Sequence, residues 1–239
     1  VLNSDQFEIN FLAGDASFRR YARIILNNKT FMLMDAPPEK EDCRPFVSID
    51  EFFYRHGVRV PHIVAKDLEN GFLLLEDFGD VLLSTLLDDQ TVDANYAQSF
   101  KQLIQLQSID GQNQFPAYSY EKLISEMDLL TDWLLPSLKI QPTESEQALI
   151  KRTFAILANA ALAQPQVIVH RDFHSRNLMI LDGETEQGVI DFQDAVIGAD
   201  TYDLISITRD AYVQWNAERV YGWFKVFYDL LPESAKEDR

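Results

Sequence analysis

The stretch Val167-Ile168-Val169-His170-Arg171-Asp172-Phe173-His174-Ser175-Arg176-Asn177 joins an apolar run to a dense group of polar side chains. The β-branched run Val167–Val169 is typical of a buried strand. The octet that follows has the spacing H-R-D-x-x-x-x-N. Polar side chains directly after a buried strand are held by a rigid scaffold, which is where binding and catalytic residues are often found. The octet is therefore the first candidate site.

A hairpin is predicted directly after the octet. The apolar runs Leu178–Leu181 and Val189–Ile190 flank the turn sequence D-G-E-T. Folding the two runs together places Asn177 opposite Asp191, while Asp172 lies just upstream on the same loop. Mg²⁺ prefers oxygen ligands, and phosphoryl transfer needs a carboxylate that takes the proton of the acceptor hydroxyl. The spacing predicts a kinase-type site, with Asp172 as base and Asn177 and Asp191 as metal ligands.

Two other interpretations of these residues stay open. Asp172 and Asp191 can be turn residues that cap neighbouring backbone, although both follow β-branched runs and face one end of the hairpin. Alternatively, His170, Asp172 and His174 can be ligands in a metal hydrolase. The chain has only four histidines, and the other two lie far upstream in the sequence. Few histidines are therefore present to complete a histidine-rich metal site.

Composition and charge narrow the class of protein. The 239 residues are 46% hydrophobic and 25% charged, which suits one large globular domain or two lobes. The net charge of −17 argues against nucleic acid or an anionic membrane as a partner. No Lys or Arg occurs from Asp67 to Phe100. Such acidity usually serves solubility, and it would also favour a cationic acceptor.

Several features indicate a cytoplasmic protein. No apolar run reaches the length of a membrane span, and Val1 does not begin a signal-peptide pattern. Cys43 is the only cysteine, so no internal disulfide can form, as expected in a reducing compartment. We therefore expect neither a membrane nor nucleic acid as a partner.

The hydrophobic periodicity predicts strands in the first part of the chain, with one helix at about Cys43–His56, and mainly helices from Leu82 onward, which is an α+β pattern. Thr143 and Glu146 have the spacing of a capping box. The later helices are predicted at Tyr96–Ile109, Tyr120–Leu135, Thr143–Ala163, Leu204–Trp215 and Tyr221–Leu231.

Several short stretches, together with the octet, resemble the aminoglycoside phosphotransferase-like small-molecule kinases, which are relatives of the protein kinases. The resemblance is closest to the anomeric N-acetylmuramate/N-acetylglucosamine kinases of cell-wall recycling, and it covers most of the chain. Family members carry a further helical segment after the point where this sequence ends. The stretches are Gly14–Tyr21 (GDASFRRY), Met34–Pro38 (MDAPP), Gly71–Asp77 (GFLLLED), Asp191–Val196 (DFQDAV) and Thr201–Asp203 (TYD).

The resemblance implies a two-lobed protein-kinase-like fold, with a small antiparallel β lobe over residues 1–78 and a mainly helical lobe over residues 79–239, and it implies ATP and Mg²⁺ as cofactors. It makes Gly14–Tyr21 the phosphate loop, although this stretch read alone is about as consistent with a plain hairpin turn. It also implies a hinge between the lobes at Glu76–Phe78, whose main chain would bind adenine, while a strand that ends in an acidic turn stays an open alternative there. The implied nucleotide-binding residues are Gly14, Ser17, Arg19, Arg20, Glu76, Asp77 and Phe78. The residues implied to support the site are His170, Arg171, His174, Arg176, Asp194 and Asp203.

The third predicted strand departs from the kinase pattern. Protein kinases carry a phosphate-binding lysine there, paired with a glutamate on the next helix. Phe31–Met34 contains no lysine, and the helix that follows has Asp50 and Glu51 near its predicted end but no obvious acid at its centre. We expect lysine and partner to be lost together, because a lone buried carboxylate is costly. Candidate replacement cations are Arg19, Arg20, Lys40 and Arg44.

The sequence thus predicts an ATP-dependent phosphotransferase acting on a small-molecule hydroxyl. By resemblance, the favoured acceptor is the anomeric hydroxyl of N-acetylmuramate or N-acetylglucosamine. A kinase for a cationic acceptor, such as an aminoglycoside or a choline-like amine, is the first alternative. A non-catalytic nucleotide-binding relative is the second, because the strand lysine is missing.

Overall fold

A computed structural model describes residues 7–12, 18–183 and 186–237. The strands are β1 (Glu8–Phe11), β2 (Arg20–Leu26), β3 (Lys29–Asp35), β4 (Ile63–Asp67), β5 (Phe72–Glu76), β6 (Gln166–Val169), β7 (Leu178–Ile180), β8 (Gln187–Val189) and β9 (Val196–Ala199). The α-helices are α1 (Arg44–Arg55), α2 (Val92–Gln107), α3 (Tyr120–Met127), α4 (Leu135–Ser137), α5 (Glu144–Leu162), α6 (Tyr202–Thr208), α7 (Ala217–Leu230) and α8 (Glu233–Lys236).

The N-terminal lobe is built on a five-stranded antiparallel sheet with the order β1-β2-β3-β5-β4. In β2, the alternating residues Ala22, Ile24 and Leu26 are buried, as expected for a strand with one face on the core. The register pairs Tyr21 with Met34, so the start of β2 lies beside the end of β3. This sheet is the small antiparallel β lobe that the resemblance implies.

Helix α1 packs the N-terminal lobe against the segment after the hairpin. Its residues Phe46 and Phe53 lie on one face, because they are seven positions apart in a helix of 3.6 residues per turn. Their rings contact Phe192, with centroid distances of 5.0 and 5.8 Å. Helix α1 therefore packs directly against the residue that follows Asp191.

The C-terminal lobe is mainly helical and carries two short antiparallel ladders, β6 with β9 and β7 with β8. One apolar cluster runs from Met34 in β3 to Phe227 in α7, so the two lobes share a core. This is the predicted two-lobed α+β architecture. Among the described residues, no helix has the combination of length and apolarity that crossing a membrane requires.

The capping box at the start of α5 is present as predicted. The backbone N–H of Thr143 donates to Glu146 Oε2 at 2.7 Å, and Glu146 N–H donates to Thr143 Oγ1 at 3.4 Å. Both bonds satisfy donors that the first helical turn leaves free. The spacing of Thr143 and Glu146, which spans four consecutive residues, was therefore sufficient to predict the start of α5.

Two predicted helices are shorter than expected. The helix predicted at Leu204–Trp215 ends at Thr208, because Asp210 turns the chain by accepting the backbone N–H of Tyr212 at 2.8 Å. The helix predicted at Tyr120–Leu135 ends at Met127 and is followed by a wide π-type turn at Leu130–Leu134.

Candidate active site

The loop between β6 and β7 is held by a buried aspartate from α6. Asp203 accepts the backbone N–H groups of His170 at 2.7 Å and Arg171 at 3.1 Å. Arg171 has a φ of 78°, a left-handed conformation that a residue other than glycine seldom adopts. Such backbone persists only where the surroundings fix it, and the two hydrogen bonds from the loop to Asp203 do so.

His170 ties this loop to the hairpin. Its ring is buried. Nε2 of this ring lies 3.0 Å from the carbonyl oxygen of Ile190, and Nδ1 lies 3.3 Å from the backbone nitrogen of Asp172. Burial lowers the pKa of His170 to about 4, so the ring is neutral at pH 7. The partners assign the proton to Nε2, which donates to Ile190, while Nδ1 accepts from Asp172.

The histidines offer little to the metal hydrolase interpretation. Both ring nitrogens of His170 are already used, so this side chain has no free ligand atom. Within residues 7–12, 18–183 and 186–237, no group of three or more His, Cys, Asp and Glu side chains is arranged to hold a metal ion.

The hairpin brings Asn177 and Asp191 together. Leu178 pairs with Val189, and the backbone N–H of Ile190 donates to the carbonyl of Asn177 at 3.1 Å. Asn177 Nδ2 lies 3.4 Å from Asp191 Oδ2 and donates to the backbone carbonyl of Asp172 at 3.0 Å. Because these contacts use its nitrogen, Asn177 keeps Oδ1 for another partner.

The donor set at the end of the hairpin suits Mg²⁺. Asp191 is exposed, and Asn177 presents an amide oxygen, so both ligands are of the hard oxygen type. Mg²⁺ is usually bound by one or two such groups and completes its octahedron with water and phosphate oxygens. Asp191 is also oriented by Gln193, whose Nε2 donates to Asp191 Oδ1 at 2.9 Å.

Asp172 lies on the same loop, and it is exposed. Partial desolvation raises the pKa of Asp172, and the negative charge of Asp191 raises it further. A carboxylate with a raised pKa is a stronger base than an ordinary one, as proton removal from a hydroxyl requires.

Arg171 joins the loop to α3 instead of facing the hairpin. Its Nη2 donates to Glu126 Oε1 at 2.7 Å, and the guanidinium lies 5.5 Å from the centre of the Tyr118 ring. A cleft of about 410 Å³ adjoins this contact. Its polar lining includes Arg171, Lys122, Gln193 and Asp194.

A second buried carboxylate was missed from the sequence. Asp210 accepts the backbone N–H of Ser175 at 2.8 Å and so fixes the far side of the loop. Tyr212, two residues on, packs against His174 with ring centroids 5.2 Å apart and lies 4.6 Å from the Arg176 guanidinium. The only sequence signal was a charged residue within the predicted helix Leu204–Trp215.

The predicted hinge has its acidic side chains tied to arginines. Glu76 binds Arg59 through two hydrogen bonds of 2.6 and 2.8 Å, and this partner lowers the pKa of Glu76. Asp77 likewise binds Arg23 at 2.6 and 3.0 Å. The Phe78 ring lies 4.6 Å from the Arg59 guanidinium. A ligand at this segment would therefore meet main chain in preference to free carboxylates.

The candidate phosphate-binding residues differ in their surroundings. Gly14 and Ser17 lie outside the described residues. Arg20 forms an ion pair with Asp35, and its side chain is 66% exposed. Arg44 pairs with Asp42 and is 75% exposed. Lys40 lies 5.6 Å from the Phe18 ring. Arg19 binds Glu41 and is only 13% exposed.

The expected loss of the helix acid is wrong. Asp50 is the seventh of twelve residues in α1, near the centre of the helix, and it is 1% exposed. Its Oδ2 is buried and makes no hydrogen bond among the described residues. Burial raises the pKa of Asp50 to about 8, so the carboxyl is largely protonated at pH 7. Protonation avoids the cost of a buried, unpaired charge.

The two-lobed α+β fold of the described residues, with its antiparallel N-terminal sheet and mainly helical second lobe, is the fold that the resemblance implies. The chain belongs to the phosphotransferase enzyme family, whose model matches residues 8–237. This confirms the resemblance noted in the sequence.

Relatives and solved structures agree with this assignment. The chain is 42% identical over 226 residues to the N-acetylmuramate/N-acetylglucosamine kinase of Pseudomonas aeruginosa, covering 92% of this chain and 66% of the relative. The chain is 41% identical over 212 residues to the kinase of the same name from Pseudomonas putida, and the match covers 88% of this chain and 62% of that relative. The chain thus spans slightly less than two thirds of these relatives. An ADP-bound aminoglycoside phosphotransferase, APH(2'')-Ib, superposes with a TM-score of 0.66 at 17% identity, covering 96% of this chain and 80% of that structure.

Proposed function

We propose that the protein transfers the γ-phosphoryl group of ATP to a hydroxyl of a small molecule, and that the favoured acceptor is the anomeric hydroxyl of an N-acetylated amino sugar. The observation that carries the proposal is the meeting of Asp172, Asn177 and Asp191 at the open end of one hairpin. These are the base and the oxygen ligands that phosphoryl transfer requires.

The three side chains divide two tasks between them in this proposal. Asp172 orients the acceptor hydroxyl and takes its proton, for which its raised pKa is suited. Asn177 and Asp191 would hold Mg²⁺. When bound, the ion neutralises phosphate charge. The protein performs little covalent chemistry, so positioning and electrostatic stabilisation supply most of the acceleration.

The nucleotide is proposed to bind between the lobes, with adenine against the main chain of Glu76 to Phe78. The ion pairs of Glu76 with Arg59 and of Asp77 with Arg23 support this arrangement, because they hold the segment in place. The buried aspartates Asp203 and Asp210 keep the catalytic loop in one shape before any ligand arrives. Such preorganisation reduces the cost of assembling the site.

The acceptor proposal rests on the amino-sugar kinases that share about two fifths of their residues with this chain. An anomeric hydroxyl belongs to a hemiacetal and is more acidic than an ordinary sugar alcohol, which eases its deprotonation by Asp172. The acceptor would approach from the exposed side of Asp172, where Asp194 and the neighbouring cleft supply polar groups.

An acceptor screen with the 239-residue chain tests this proposal. ADP release with ATP and Mg²⁺ is measured for N-acetylmuramate, N-acetylglucosamine, their methyl glycosides, an aminoglycoside and choline. We expect turnover with the free sugars and none with the methyl glycosides, which lack the anomeric hydroxyl. Turnover with an amine acceptor only, with a KM that rises with salt, would favour the cationic-acceptor alternative. Nucleotide binding without any turnover would favour the non-catalytic one.

A further inference from the structure

Arg19, directly before β2 in the N-terminal lobe, is a largely buried cation. Its Nε donates to Glu41 Oε1 at 2.5 Å, and the guanidinium lies 5.8 Å from the centre of the Phe46 ring. The side chain is 13% exposed, although arginine stays charged at all ordinary pH values. A cation is seldom buried to this degree without a partner that fixes it, and Glu41 in the loop between β3 and α1 is that partner.

The contacts of Arg19 lead towards Asp191. Phe46, beneath the guanidinium, packs on Phe192 at 5.0 Å, and Phe192 directly follows Asp191. Tyr21 bridges the same space: its hydroxyl is hydrogen-bonded to Arg19 and donates to Met34 Sδ at 3.5 Å. Burial raises the pKa of Tyr21, the charge of Arg19 lowers it, and the charge of Asp191 raises it. The Tyr21 hydroxyl therefore lies within electrostatic reach of both groups.

The inward-facing side chain at the end of β3 is apolar in this chain. Met34, which β3 presents opposite Tyr21, is fully buried. Lys29 is the lysine of β3, but it lies exposed at the hairpin end of the strand, paired with Leu26. Asp50 on α1 is buried, and its Oδ2 has no partner among the described residues. A lysine–acid pair of the usual kind is therefore not formed between β3 and α1 in this part of the chain.

We propose that Arg19 binds the phosphates of the nucleotide and that Glu41 positions it, so that this pair takes the place of the lysine–glutamate pair of protein kinases. The inference rests on the proposed nucleotide-binding function. A guanidinium has five N–H donors in a planar fork, so it can bind Glu41, Tyr21 and a phosphate oxygen together. Glu41 contributes through Arg19 and does not touch the nucleotide.

Calorimetric binding of ATP and of adenosine, both with Mg²⁺, tests the role of Arg19 without relying on turnover. Arg19→Ala should weaken ATP binding about 10- to 100-fold, the usual effect of losing a charge-assisted hydrogen bond. Adenosine has no phosphate, so its affinity should not change, and this also shows that the variant is folded. Arg55→Ala is the matched control, because Arg55 is an exposed arginine on α1 that donates to a backbone carbonyl.

The outcomes separate this inference from the proposed function. If the unaltered chain binds ATP and Arg19→Ala binds it equally well, the role of Arg19 is overturned while the kinase proposal stands. The same holds if Arg20→Ala produces the loss instead. If the unaltered chain binds no ATP, both proposals fail.

Glu41→Gln tests the positioning role. The variant should weaken ATP binding in the parent chain but add no further loss to Arg19→Ala, because Glu41 acts through the arginine. It should also raise the KM for ATP while leaving the KM for the acceptor unchanged. An equal loss of affinity in both backgrounds would show that Glu41 acts independently, and the pair would be rejected.

Discussion

The buried carboxylate of Asp203 lies 2.7 Å from the backbone nitrogen of His170, although 33 residues separate the two in sequence. The second oxygen of this carboxylate accepts the N–H of Arg171. Burial raises the pKa of Asp203 to about 7, while these two hydrogen bonds act in the opposite direction. A fully buried carboxylate therefore fixes the start of the loop between β6 and β7, while Asp210 holds its far side.

We predict that Asp203→Asn lowers the free energy of unfolding by about 1–3 kcal/mol, because an amide replaces one of the two acceptor oxygens with a donor. If the proposed function holds, kcat should fall by a larger factor than the KM for ATP changes, because the substitution affects the loop that carries Asp172. Urea unfolding and steady-state kinetics measure the two effects. Asp229→Asn, an exposed site on α7, is the control. If Asp203→Asn and Asp229→Asn lowered the free energy of unfolding and kcat equally, Asp203 would have no particular role in holding the loop.

The buried carboxyl of Asp50 should make the stability of the folded protein depend on pH. Its pKa is about 8 in the folded protein and about 4 in an unfolded chain, so the folded state binds the proton more tightly. Stability from this group is fully present below about pH 4 and is lost as the pH rises towards 8. Asp50→Asn removes the titration, so the variant should gain stability relative to the parent across this window, by up to a few kcal/mol.

Urea unfolding of the parent and of Asp50→Asn at pH 5, 6.5 and 8 measures this difference. Asp203 titrates in both proteins with the same sign and cancels in the comparison. A stability difference that does not change with pH would show that Asp50 is ionised in the folded protein or is not buried as described.

The metal-ligand assignment predicts that Asp191→Ala weakens the binding of ADP in the presence of Mg²⁺. Without divalent metal, ADP should bind the parent and the variant about equally, because the carboxylate is proposed to act through the ion. Titration with and without a chelator measures both states. Asp172→Asn should leave Mg²⁺-dependent ADP binding unchanged. If Asp191→Ala weakened ADP binding equally with the chelator present, a direct electrostatic role would replace the metal role.

The parts of the site that sequence could predict are local. Asn177 and Asp191 meet because a short hairpin joins them, and the strands and turn of that hairpin have their own signals. The capping box of Thr143 and Glu146 is contained in four residues. In each case the interacting groups are fixed by backbone geometry over a short segment.

The parts that sequence could not predict depend on packing between distant segments. Asp210 was expected inside a helix, whereas the structure uses it to hold Ser175 across 35 positions. The burial of Asp50 depends on which face α1 turns inward, and this was not visible from charge alone. Arg19 and Arg20 are adjacent in sequence but differ fivefold in exposure, because only Arg19 points to Glu41.

The most direct test of the central claim is phosphorus NMR of the product formed from N-acetylglucosamine, ATP and Mg²⁺ by this chain. We predict a sugar phosphate that is non-reducing, whose phosphorus couples to the anomeric proton, and which mild acid destroys, because glycosyl phosphates cleave through an oxocarbenium-like route. Asp172→Asn should form this product at least about 100-fold more slowly. An acid-stable, still reducing phosphate, or a product formed at an undiminished rate by Asp172→Asn, would contradict the assignment.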